Sequence, residues 1–166
     1  SPVDAHATPS TGAPLTINTD TAITANAINT GTGSVSLTSR YANTDLAPTI
    51  GGSGLITGNN VSLSALGTNG SVSAQTSASN LSIASAGNVS VANNKALTAL
   101  SLTANHNSSS GSINNTYNIS ASGMTAFSLS DSTGVAGLTL NNITNTGNLA
   151  LSISSDRALT VNNVST

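Results

Sequence analysis

The residues able to act as acids, bases, nucleophiles or metal ligands are few and scattered. The 166-residue chain holds five Asp and no Glu, at Asp4, Asp20, Asp45, Asp131 and Asp156, and no two lie within ten residues of each other. Glycosidic cleavage and calcium binding both need carboxylates brought together, and this spacing offers no pair or cluster. His6 and His106 are the only imidazoles, and there is no cysteine, so no set of side chains is spaced like a metal site. The run Gly51-Gly52-Ser53-Gly54 begins like a calcium-binding repeat but lacks its Asp, and reads as a flexible turn. Among 29 serines none sits in a Gly-x-Ser-x-Gly elbow. The expectation is a non-enzyme, with no catalytic residue, no metal and no cofactor.

Binding is the chemistry that remains. Arg40, Lys95 and Arg157 are the only cations and the net charge is −2, which gives no footprint for phosphate neutralisation and excludes nucleic acid as the expected partner. The same scarcity argues against an anionic membrane surface, and no run of 18 apolar residues could span a bilayer as a helix. Nine Asn-x-Ser/Thr sequons occur, close to the number that 22 Asn and 53 Ser plus Thr would produce by composition alone.

These side chains must be positioned by a recurring phrase, two aliphatic residues flanking one small or polar residue. It appears at Leu15/Ile17, Val35/Leu37, Val61/Leu63, Leu81/Ile83, Leu100/Leu102, Phe127/Leu129 and Leu149/Leu151, at intervals of 20, 26, 20, 19, 27 and 22 residues. Apolar residues at i and i+2 share one face of a strand, and a period near 22 is that of a solenoid. A second set, Val72/Ala74, Val89/Val91, Leu138/Leu140 and Leu159/Val161, falls midway between the first, with Ile119 and the Leu46 to Ile50 stretch holding the place elsewhere. Ile23, Ile28, Ile56, Ile113, Ile143 and Val164 would supply a third side. No stretch carries a capped helical stripe, so the predicted fold is all-β, a parallel β-helix of about seven coils over residues 15–166. Residues 1–14 hold three of the four prolines and read as an extended arm or junction. Asn pairs such as Asn59/Asn60 and Asn93/Asn94 are expected at turns, where an amide can also bond to an Asn stacked one coil away.

The two long intervals carry the candidate binding residues. Between Leu37 and Val61 the chain inserts Arg40, Tyr41 and Asp45, and between Leu102 and Phe127 it inserts His106 and Tyr117. Insertions in solenoids map to loops, the usual place for recognition, so these five residues form the expected binding patch.

Phrases such as Gly58-Asn-Asn-Val-Ser-Leu63, Ala86-Gly-Asn-Val-Ser-Val-Ala92 and Thr146-Gly-Asn-Leu-Ala-Leu151 resemble the repeat region of filamentous-haemagglutinin-like adhesins, which bacteria export by two-partner secretion, and less closely the passengers of autotransporters. The resemblance covers residues 15–166, without a counterpart of that family's amino-terminal secretion signature. It implies a right-handed β-helical shaft, at the bacterial cell surface or released, working in adhesion, aggregation or biofilm formation. Its implied partners are a host surface, a carbohydrate receptor or further copies of itself. The last phrase runs to Thr166 without a capping element, which suggests a slice of a longer shaft or subunits stacking end to end. Two further readings compete. Ice binding would use Thr-x-Thr arrays, but Thr19/Thr21, Thr30/Thr32 and Thr144/Thr146 fall out of register with the rungs, and a polysaccharide-active enzyme would need the missing carboxylates.

Overall fold

The computed structural model describes residues 3–7, 12–40, 49–67, 70–105, 115–122, 126–132, 138–144, 152–155, 159–162 and 164–165. Fifteen strands and no helix occur among them. In chain order these are β1 (Val3–Ala7), β2 (Leu15–Thr19), β3 (Ile23–Asn29), β4 (Ser34–Ser39), β5 (Thr49–Gly51), β6 (Leu55–Ala65) and β7 (Ser71–Ser85). They continue as β8 (Val89–Ala96), β9 (Ala99–Asn105), β10 (Asn115–Ser122), β11 (Ala126–Ser132), β12 (Leu138–Thr144), β13 (Ser152–Ser155), β14 (Leu159–Val161) and β15 (Val164–Ser165). Every pairing is parallel, between strands one turn apart in the chain, which makes the protein a β-solenoid.

Three faces surround the core. Face A stacks Leu15, Val35, Val61, Leu81, Leu100 and Phe127 in one register line, with Ile17, Leu37, Leu63, Ile83, Leu102 and Leu129 in the next. Face B aligns Val3, Ile23, Ile50, Val72, Val89, Tyr117, Leu140 and Val161. Face C aligns Ile28 with Ile56 and Thr76, and farther along Ile143 with Val164. Long strands cross from one face to another. The 15 residues of β7 would span roughly 50 Å if straight, yet β7 pairs with β5 and β8 near its start and with β9 near its end, so it bends around the corners.

Alternation does the folding work. In β4 the burial runs half-buried, buried, half-buried, buried, with Val35 and Leu37 at 1% and 0% exposed. Each such aliphatic side chain contributes about 1.5–3 kcal/mol on burial, and the lumen closes with Leu, Ile and Val alone in the turns from Leu15 to Leu102. Corners are sealed by small hydroxyl residues. Buried Ser39 donates to Thr21 O at 2.8 Å, and buried Ser85 donates to Gly70 O at 2.7 Å, while Ala65 fills the equivalent position between them. Thr30 Oγ1 lies 3.1 Å from Gly33 O and 3.2 Å from Thr57 O, joining two coils through one hydroxyl. Such bonds satisfy carbonyls that the bending backbone withdraws from the ladder.

Several expectations shift in detail. Four turns separate Leu15 from Leu100, and β11 and β13 carry face A further, against the seven coils expected. Leu149 and Leu151 lie outside the described residues, and β13 sets Ile153 opposite Leu129, two residues later than the phrase Leu149/Leu151 implies. In an alternating run every second residue presents the same face, so pattern alone leaves a two-residue ambiguity. Ile23 belongs to face B, opposite Ile50, and not to the third side. Ile113 lies outside the described residues, as does most of the Leu46 to Ile50 stretch. The segment read as an arm contains β1, which stacks on β3 and buries Ala5 to 1% exposure. Finally, Gly51-Gly52-Ser53-Gly54 is a packed corner. Gly54 N donates to Ala25 O at 3.1 Å, and a Cβ on Gly54 would stand 0.6 Å from Asn26 O, so only glycine admits the neighbouring coil.

Candidate functional site

The strand period that sends the aliphatic residues inward sends the residue between them outward. On face A this middle residue is Thr16, Ser36, Ser62, Ser82, Ser101, Ser128 and Ser152 in seven successive strands, each in register with the next. A second outward line, two residues on, runs Asn18, Thr38, Ser64, Ala84 and Thr103. Rungs of a parallel stack stand about 4.8 Å apart, so the face presents a regular grid of small hydroxyl groups.

One edge of the grid is an amide ladder. Asn80 Nδ2 donates to Asn60 Oδ1 at 2.8 Å, and Asn60 Nδ2 donates to Ser34 Oγ at 3.3 Å. All three are outward residues of adjacent rungs, so the bonds run along the solenoid axis in one direction. The stacked-Asn bond expected from the sequence is therefore present, but within strands β6 and β7 and not at a turn.

Beside this ladder lies a half-open trough of about 430 Å³. Its lining comes from four consecutive rungs of face A, through Ser36, Asn60, Ser62, Asn80, Ser82 and Ser101 with the strand backbone between them. No residue of the other two faces lines it, so it opens on the outside of the solenoid and not into the lumen. Every outward position described on face A from β2 to β9 is Ser, Thr, Asn or Ala, and none carries a charge.

A second polar cluster is buried. Asn93, at 8% exposure, accepts at Oδ1 from Thr76 Oγ1 and from Ala78 N, both at 2.9 Å, and its Nδ2 donates to Ala78 O at 3.1 Å and to Lys95 O. The amide of Asn93 thus pairs with both polar groups of Ala78, as a neighbouring strand would. It does so between the point where β7 leaves β8, at Thr76 and Asn93, and the point where β7 meets β9, at Asn80 and Ala99. All four hydrogen-bonding positions of this buried side chain are used in holding a corner.

The residues expected to bind are placed differently. Arg40 is exposed just beyond β4, with its backbone N–H bonded to Thr19 O at 3.0 Å. Tyr117 lies in β10, in register with Val89 and Leu140, so it belongs to a regular rung of face B and not to an insertion loop. Tyr41, Asp45 and His106 lie outside the described residues. The trough was missed because its residues sit in the regular rungs. The available signal was the near-constant Ser at the centre of the phrase, which reads as a spacer until the rungs are stacked. Among the described residues no group of three or more His, Cys, Asp or Glu could hold a metal ion, and no helix is long and apolar enough to cross a membrane. Comparison with protein-family models, with curated proteins and with solved structures finds no match to this chain.

Proposed function

We propose that the chain is a shaft and adhesive module of a bacterial secreted or cell-surface adhesin, with face A as its contact surface. It carries out no reaction. The observation that carries the reading is an uncharged, hydroxyl-covered face continued in register over successive rungs, a surface that engages a partner through many weak polar contacts instead of one deep pocket. Support comes also from the repeat phrases, whose Gly, Asn and alternating aliphatic and hydroxyl residues resemble haemagglutinin-like shafts. The partner on this reading is a host surface or carbohydrate receptor, or further copies of the chain, met outside the cell.

The test is display of the chain on a non-adherent bacterium, with adhesion to host cells and autoaggregation measured against a strain displaying a variant with Lys at Ser36, Ser62, Ser82 and Ser101. Adhesion or aggregation that the substitutions abolish supports the reading. Behaviour no different from the undecorated strain in both assays refutes it.

A self-assembling fibre subunit is the second reading, and one observation favours it. Leu15 and Ile17 are only half-buried although Val35 and Leu37 next to them are sealed, and β2 is paired on one edge only among the described residues. A half-covered apolar rung with an open strand edge is a template for another strand. Concentration-dependent filaments in electron microscopy, lost on Ile17→Lys, are its expected signature.

A further inference from the structure

The geometry points to the face-A trough as a binding site for one extended, uncharged, hydroxyl-rich chain, a linear neutral polysaccharide lying along the solenoid axis. This rests on the adhesive reading of face A and names the partner chemistry for it. Four rungs span three intervals, about 14 Å, and a 430 Å³ trough of that length has a cross-section of about 30 Å². That is the girth of a single extended chain, too narrow for a folded domain and too open for a small molecule to be enclosed. A second copy meeting the site face to face would leave two troughs opposed as a void, which close-packed interfaces avoid.

The lining selects against charge. Placing an ion in the trough would desolvate it without any opposite charge on the described outward positions of the face, so sulfated or uronic-acid chains gain nothing there. Hydroxyls suit the site because each Ser both donates and accepts, and because the amide ladder is polarised. Asn80 donates to Asn60 and Asn60 to Ser34, so the ladder ends in the Asn80 carbonyl oxygen on one side and the Ser34 hydroxyl hydrogen on the other. A sugar hydroxyl can answer either end. Repetition at about 4.8 Å gives each successive sugar an equivalent set of partners, so affinity grows with the number of sugars until four rungs are covered.

The experiment is titration of the full chain with uncharged linear gluco- and manno-oligosaccharides of two to eight units, followed by calorimetry and by amide shifts of Ser36, Ser62, Ser82 and Ser101. A heparin-type sulfated oligosaccharide and an uncharged extended peptide serve as competing probes, and ice-crystal shaping is recorded in parallel. The expected result is neutral-saccharide binding that strengthens with length, is insensitive to salt, and weakens by about tenfold or more when Ser62→Trp fills the trough. Ser90→Trp, on exposed face B beside Val89, leaves binding and the melting temperature unchanged and controls for folding. The inference is overturned by no saccharide binding, by binding that Ser62→Trp leaves intact, or by preference for the sulfated chain, the peptide or ice. If cell adhesion persists while neutral oligosaccharides neither bind nor compete, this inference fails and the adhesive reading stands.

Discussion

Replacing Asn93 by Leu, a side chain of similar size, should destabilise the solenoid far more than its position near the surface suggests. The change removes four hydrogen bonds at once, from Thr76 Oγ1 and Ala78 N to Oδ1 and from Nδ2 to Ala78 O and Lys95 O. Lys95 is exposed, so water replaces its partner, but Thr76 and Ala78 are both 0% exposed and their three polar groups lose theirs inside the protein. Leaving a buried polar group unpaired costs about 1–3 kcal/mol, so a loss of about 3 kcal/mol is the lower end for the three together. For a chain of this size that corresponds to a fall in melting temperature of about 6–12 °C. Because a solenoid loses structure locally as well as globally, the amide of Ala78 should also exchange faster with solvent than that of Leu63 on face A. The double variant Thr76→Val/Asn93→Leu should recover part of the loss, since it removes one orphaned hydroxyl together with its partner. A fall of less than about 2 °C for the single variant, with Ala78 exchange unchanged, would refute the argument that this amide stands in for a missing strand.

The glycine corner gives a paired test. Gly54→Ala places a Cβ against the backbone of Asn26 and should prevent soluble folding or lower stability by more than about 4 kcal/mol, whereas Gly51→Ala, with nothing within 4 Å, should stay within about 1 kcal/mol of the parent; urea unfolding measures both. Leu63→Ala, at 0% exposure between two sealed rungs, should destabilise by about 2–5 kcal/mol, and Leu15→Ala, half-buried, by clearly less. Equal losses at the two sites would contradict the unequal covering of the column.

The fold was legible in the sequence where local chemistry and packing coincide. Val35/Leu37, Val61/Leu63, Leu81/Ile83 and Leu100/Leu102 alternate with small polar residues, and a strand has no other way to bury them than on one face. The third face was less legible, because its column passes from Ile28 and Ile56 to Thr76 and then to Asn93, and a polar residue gives no inward signal unless its hydrogen-bond partners are known. The expected patch on the long intervals drew attention to Arg40 and Tyr117 because they are chemically distinctive, while the trough is built from the commonest residue in the chain.

Composition and period by themselves determined that this chain forms strands, that they stack in parallel, and that charge and carboxylate chemistry play little part, since these follow from residue types and spacing along the chain. Only the tertiary structure decided that Ser36, Ser62, Ser82 and Ser101 form one face with a trough in it and that Asn60 bonds to Asn80. It alone also placed Asn93 in a corner instead of in solvent. The physical reason is register. Residues 19 to 26 positions apart become neighbours only when the intervening loops set how each rung lies on the last, and a hydroxyl or amide has no preferred side until that alignment gives it a partner.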